Sequence, residues 1–110
     1  MAVTLSPHQR SLIDYYVPKD DVVYDLSEFF SVFADPTRLK ILSALSITEM
    51  CVSDLCDSLG LRQSTVSHQL QYLRMYKMVK SRKEGKSVFY SIASEYIEDA
   101  LNTGISFLGY

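Results

Sequence analysis

The stretch Cys51–Tyr76, CVSDLCDSLGLRQSTVSHQLQYLRMY, reads as two short amphipathic helices joined by a tight turn. In the first, Val52, Leu55, Cys56 and Leu59 fall at helical spacing and form one apolar stripe. Gly60 ends that helix, because glycine takes up the left-handed conformation that a C-terminal turn needs. Leu61 plugs the corner. In the second helix Val66, Leu70 and Leu73 line one face. At about 100° per residue, Ser64, His68, Gln71 and Met75 lie opposite, flanked by Ser67 and Arg74. A helix that only meets solvent more often carries glutamate and lysine in i,i+4 pairs. Serine, threonine, histidine and glutamine hydrogen-bond base edges, and they cluster here where the second helix of a helix-turn-helix enters the major groove. The candidate DNA-binding residues are Gln63, Ser64, Thr65, Ser67, His68 and Gln71, with Arg74 at the basic end, and of these Ser64, Ser67, His68 and Gln71 are expected to face base edges.

The charge distribution supports this reading although the total does not. The chain carries a net charge of −2 and a pI near 5.6. Between Arg62 and Lys86, however, seven basic residues face one acid, a local charge of +6 against −8 for the rest. Phosphate contacts depend on local potential, so the surplus on and after the second helix is the informative quantity. The bland alternative is a solvated charged face. Its coincidence with the second helix favours phosphate contact.

The 110 residues allow one domain with a single core. No apolar run approaches the roughly 18 residues that span a bilayer, and the first residues carry no signal pattern. With only two cysteines there is no disulfide framework, so a reducing cytoplasm is the expected setting. Residues 1–21 read as an N-terminal arm, with a helical turn or two at Ser11–Tyr16 and a break at Pro18. Residues 22–110 read as a DNA-binding and dimerisation domain. In it, Val22, Leu26, Phe29, Phe30 and Phe33 form a wide aromatic stripe on a helix over Val22–Phe33. Asp35 caps the next helix, with Pro36 at its first position and Leu39, Ile41, Leu42 and Leu45 inward. Thr48–Met50 reads as an edge strand. Cys51 stands at the next N-cap, with Asp54 where a capping-box acid belongs.

Beyond the second helix, Met78–Lys83 and Ser87–Ile92 alternate and flank Glu84-Gly85-Lys86, a hairpin with glycine at its tip. Arg82, Lys83 and Lys86 suit a wing gripping phosphates. Ser94 caps a last helix whose apolar face is Ile97, Ala100, Leu101, Gly104, Ile105 and Leu108. The expected fold is mainly α with a small β-hairpin (α+β), a winged helix-turn-helix of about five helices plus a wing.

With DPTRLKIL at Asp35–Leu42, EMCVSDL at Glu49–Leu55 and LGLRQSTVSHQLQYLR at Leu59–Arg74, the chain resembles the ArsR/SmtB family of winged-helix repressors. The match covers Asp25 to Leu108. The resemblance implies a homodimer built on the first and last helices of the domain, which suits the apolar stripes at Val22–Phe33 and Ile97–Leu108. It also implies binding to double-stranded operator DNA with an inverted repeat, and release on a chemical signal. The family's sensory residues mostly do not carry over. In the family's ELCVCDL-like motif, Cys51 matches the first thiol and Ser53 replaces the second, a poor site for a soft metal that wants two or three thiolates. The positions of the family's last-helix zinc site hold Ser94, Tyr96, Phe107 and Tyr110, none a usual zinc ligand. No metal site is therefore assigned.

Cys51 and Cys56 lie five residues apart, about 140° around a helix and roughly 7.5 Å along it, so an intrahelical disulfide would require unwinding. Cys56 on the apolar stripe reads as a buried structural thiol. Cys51, at a helix start, is the candidate sensor, through oxidation, persulfidation or a soft metal shared across a dimer. A constitutive binder, or one with an inducer pocket elsewhere, is the other reading. His68 belongs to the DNA face rather than to a metal site, and His8 is a surface residue of the arm. A winged-helix module for protein contacts would carry a charged or apolar third-helix face, unlike this one. No Ser/His/Asp set, phosphate loop, carboxylate pair or metal-ligand cluster points to an enzyme.

Overall fold

Asp35 opens the first helix of the core: its carboxylate accepts the backbone N–H of Arg38 at 2.9 Å, and Pro36 supplies a preset φ at the first helical position. The computed structural model describes residues 4–110 and has helices α1 (Pro7–Tyr16), α2 (Asp20–Val32), α3 (Pro36–Leu45), α4 (Val52–Leu59), α5 (Gln63–Met75) and α6 (Glu95–Phe107). Strands β1 (Val79–Glu84) and β2 (Ser87–Ile92) lie between α5 and α6. The chain divides into two units, one ending at Phe30 and the other beginning at Ser31.

The first unit holds one helix more than the sequence reading expected. Where a turn or two was expected at Ser11–Tyr16, ten residues from Pro7 are helical. A capping box explains the early start. The Ser6 hydroxyl accepts from Gln9 N at 3.1 Å, and the Gln9 side chain accepts from Ser6 N at 2.9 Å. Val17 is extended ahead of Pro18, as the proline ring requires, and α1 stops there. Residues 1–3 of the expected arm lie outside the described residues. α2 begins at Asp20 rather than Val22, with Asp20 and Asp21 in its first turn where the helix dipole favours acids. Of its apolar stripe, Val22, Leu26 and Phe30 are exposed, while Phe29 and Phe33 just beyond its end are half-buried.

The second unit is built on a core of Val32, Ile41, Leu42, Leu55, Val66, Leu70 and Leu73, all fully or almost fully buried. α4 contributes one fully buried side chain, Leu55, and ends at Gly60, whose φ of 66° is the left-handed closure expected there. α5 seats Val66, Leu70 and Leu73 inward, as their spacing predicted. At its end the Met78 N–H reaches Leu73 O and the Lys77 N–H reaches Arg74 O. This is a Schellman closure with Lys77, rather than a glycine, in the left-handed position at φ 59°.

The hairpin runs one residue later on β1 than the alternation suggested. It pairs Val79 with Ile92 through to Glu84 with Ser87 around Gly85-Lys86, with Gly85 at φ 62°. The expected edge strand at Thr48–Met50 contracts to Met50 alone, bridged to Tyr90 on β2. Ser94 caps α6 by accepting from Tyr96 N at 3.2 Å. Ile97 and Leu101 of α6 are buried, whereas Ile105, Phe107 and Leu108 are exposed. Helix, turn, helix and two-stranded ribbon together make a winged helix-turn-helix.

Candidate nucleic-acid interface

The outer face of α5 exists because its inner face is so firmly seated. With Val66, Leu70 and Leu73 at 1% exposure or less, the helix cannot roll, and the residues opposite are held outward. Gln63, Ser64, His68, Gln71 and Arg74 are exposed, and Thr65 and Ser67 are half-buried on the flanks. All seven candidate residues of α5 therefore share one helix, and its most outward positions are polar and uncharged until Arg74. Hydroxyl, imidazole and carboxamide groups there offer both donors and acceptors, the complement needed to tell base pairs apart in a major groove.

The wing residues separate. Lys83 and Lys86 are exposed, and Lys86 is at the tip in the turn that joins the strands. Successive strand residues point to opposite faces, so Arg82 and Lys83 do not project together. Arg82 instead faces carboxylates. Its Nε lies 2.9 and 3.1 Å from the two Glu49 oxygens, its Nη2 also bonds Glu49, and its Nη1 donates to Glu84 at 2.6 Å. The guanidinium also lies over the Phe89 ring, 4.8 Å from its centroid. The hydrogen bond from Arg82 holds the Glu49 carboxyl below its ordinary range, and the two carboxylates raise the Arg82 guanidinium above its own. Nothing in the local sequence announces Glu49, thirty-three positions away, as the partner.

Cys51 sits at the N-cap of α4, but the expected capping box is not formed. No side-chain cap bond is made there, and the thiol instead donates to Asp54 Oδ2 at 3.2 Å and lies 3.2 Å from Ser53 Oγ. Cys56, expected in the core, is half-buried, because Leu55 alone fills the seat beneath this short helix. Both thiols line one cleft of about 540 Å³ together with Asp57, Gln63, Lys86 and Tyr90. Among the described residues no group of three or more His, Cys, Asp or Glu side chains is placed to hold a metal ion. Ser94 is spent on capping α6, and Tyr96, Phe107 and Tyr110 point to solvent.

Arg38 is a residue the sequence reading passed over. Its Nε donates to Val32 O at 2.8 Å and its Nη2 to Ser31 O at 3.4 Å, satisfying carbonyls at the end of α2. Its spacing in DPTRLKIL marked a helix start but gave no hint of this task.

The fold, with this polar outer helix face beside a basic ribbon, is that of winged-helix regulatory proteins. Residues 35–81 match the family model described as bacterial regulatory protein, arsR family. Over 77 residues the chain is 44% identical to a transcriptional repressor SmtB homolog of Synechocystis, covering 70% of this chain and 58% of the relative. It thus spans little more than half of that relative's length. Against the arsenical resistance operon repressor of Staphylococcus xylosus it is 34% identical over 85 residues, covering 72% of this chain and 82% of the relative. The crystal structure of AntR, an antimony-specific transcriptional repressor, superposes with a TM-score of 0.78 at 29% identity, covering 97% of this chain and 95% of that one. The chain belongs to the arsR family of bacterial regulatory proteins.

Proposed function

We propose that this chain is a homodimeric, sequence-specific DNA-binding transcriptional regulator, a cytoplasmic repressor that leaves its operator on a chemical signal. One observation carries the reading: α5 is locked by three buried residues and presents Ser64, His68 and Gln71 outward beside a basic ribbon. Gln63, Ser64, Thr65, Ser67, His68 and Gln71 read base edges. Arg74, Lys83 and Lys86 meet phosphates, which position the protein without specifying sequence. Residues 22–110 act as the DNA-binding and dimerisation domain and the residues before them as an arm. The exposed apolar side chains of α2 and of α6 are the reason to expect a second copy. Two copies on a two-fold axis read an inverted repeat with half-sites about one turn of DNA apart. Cys51, in the cleft between α4 and the wing, is the thiol best placed to receive a signal.

Duplex binding over a salt series tests this. Replacing Lys83 or Lys86 with alanine is expected to weaken binding to all sequences alike. Each change should flatten the slope of log affinity against log salt by about one. Gln71→Ala is expected to leave the slope intact but to relax preference at one site position, at about 1–3 kcal/mol for the lost contact. Unchanged slopes in both lysine variants, with unchanged preference in Gln71→Ala, would refute the interface. For the signal, a Cys51→Ser variant that still releases DNA normally on exposure to the inducer rules out sensing at that thiol.

A further inference from the structure

Two consecutive residues, Glu49 and Met50, fasten the wing at both of its strands. Glu49 takes the Arg82 guanidinium of β1. Met50 exchanges two backbone hydrogen bonds with Tyr90 of β2, at 3.0 and 2.8 Å. Cys51 then begins α4. A two-stranded ribbon is marginal alone, so its order depends on such attachments. Every nitrogen of the Arg82 guanidinium already donates to a carboxylate, either Glu49 or Glu84. A phosphate approaching that single positive charge would meet two negative ones beside it.

We propose that Arg82 is a positioning residue, latching the wing to the Glu49–Cys51 junction so that Lys83 and Lys86 reach DNA, and is not itself a phosphate contact. This rests on the DNA-binding reading above and removes one residue from the contacts the sequence suggested. The two roles for Arg82 predict opposite signs at Glu49. If Arg82 gripped phosphate, removing Glu49 would release it and tighten binding. If Arg82 is a latch, removing Glu49 frees the wing and weakens binding.

Affinity for a labelled mixed-sequence duplex, measured over a salt series, separates the two roles in wild type, Arg82→Ala, Arg82→Lys, Glu49→Ala and the Glu49→Ala/Arg82→Ala pair. Each single variant is expected to bind about two- to fivefold more weakly, in line with an exposed ion pair. The double variant should be no weaker than Arg82→Ala, and the salt slope should stay at the wild-type value. Arg82→Lys is informative because it keeps the charge a phosphate needs but loses the fork that grips Glu49. Tighter binding by Glu49→Ala, wild-type binding by Arg82→Lys, or a slope flattened by about one in Arg82→Ala each overturns the latch. Amide exchange in the free protein needs no DNA. Faster exchange across β1 and β2 in Glu49→Ala and Arg82→Ala supports the latch, and unchanged exchange overturns it. Failure of the wild type to bind any duplex refutes the DNA-binding reading, while the exchange result still judges the latch.

Discussion

The Arg38 guanidinium lies 4.2 Å from the ring centroid of Tyr72, joining α3 to α5 through a cation–π contact. The same group ties down the carbonyls of Ser31 and Val32. Arg38→Ala is therefore expected to cost about 2 kcal/mol, two hydrogen bonds from a charged donor plus the ring contact. Arg38→Lys should recover less than half of that, because an ammonium cannot serve two carbonyls and a ring face together. Denaturant unfolding gives both values, and a loss under half a kcal/mol in Arg38→Ala would show the staple to be idle.

Lys77 is a stability reserve. A side chain in the left-handed region crowds its own carbonyl, and the closure at the end of α5 demands that region. Lys77→Gly relieves the crowding but gains freedom in the unfolded chain, for a net stabilisation of about 0.5–1 kcal/mol. The expected result is a higher melting temperature with an unchanged fold. A lower one would reveal a contact made by the Lys77 side chain.

Assembly is tested on α6. Ile105 is 44% exposed and Leu108 69% exposed on the helix whose inward positions are Ile97 and Leu101. A carboxylate at position 105 would be desolvated without a partner in any interface covering that face. Ile105→Glu is expected to sediment as a monomer and to lose tight operator binding. Sedimentation of the wild type as a monomer at micromolar concentration would remove the dimer from the model of action.

Acid should loosen the wing. Glu49 titrates below its ordinary value of 4.5 because Arg82 donates to it, with Glu84 sharing the same guanidinium. A carboxyl depressed in the folded state contributes its full share above the unfolded value and loses it as pH falls through the folded one. Wing amides of the wild type are thus expected to stay protected near neutrality and to exchange faster only below the ordinary carboxylate range. Glu49→Gln should exchange fast throughout and meet the wild type at the acid end. Parallel profiles for the two proteins would detach Glu49 from wing order.

What could be read in the sequence was local. Asp35-Pro36, Gly60, the Val66–Leu70–Leu73 stripe and the Gly85 turn each act within a few residues of themselves, and each stands where its chemistry put it. The start of α1 was also written locally, as Ser6-Pro7-His8-Gln9, but the weak apolar period after it hid the capping box. The pairing of Arg82 with Glu49 was out of reach, because it forms only after α3, α4 and the ribbon have come together. Cys56 misled for a related reason: a one-face pattern says which side of a helix turns inward, not how many of its residues the neighbours can cover. On an eight-residue helix they fully cover Leu55 and only partly cover Val52, Cys56 and Leu59.

The ribbon itself has two rims. Among the described residues, β1 pairs only with β2, and the far side of β2 meets only Met50. Unpaired backbone along such rims is a template on which a strand from another molecule can align, the usual start of edge-to-edge aggregation. The outer strand here runs Lys80, Ser81, Arg82, Lys83, Glu84, a density of charge that makes a foreign strand costly to accept. Lys83, proposed above as a phosphate contact, thus also helps to keep neighbouring copies from zipping together when the protein is concentrated.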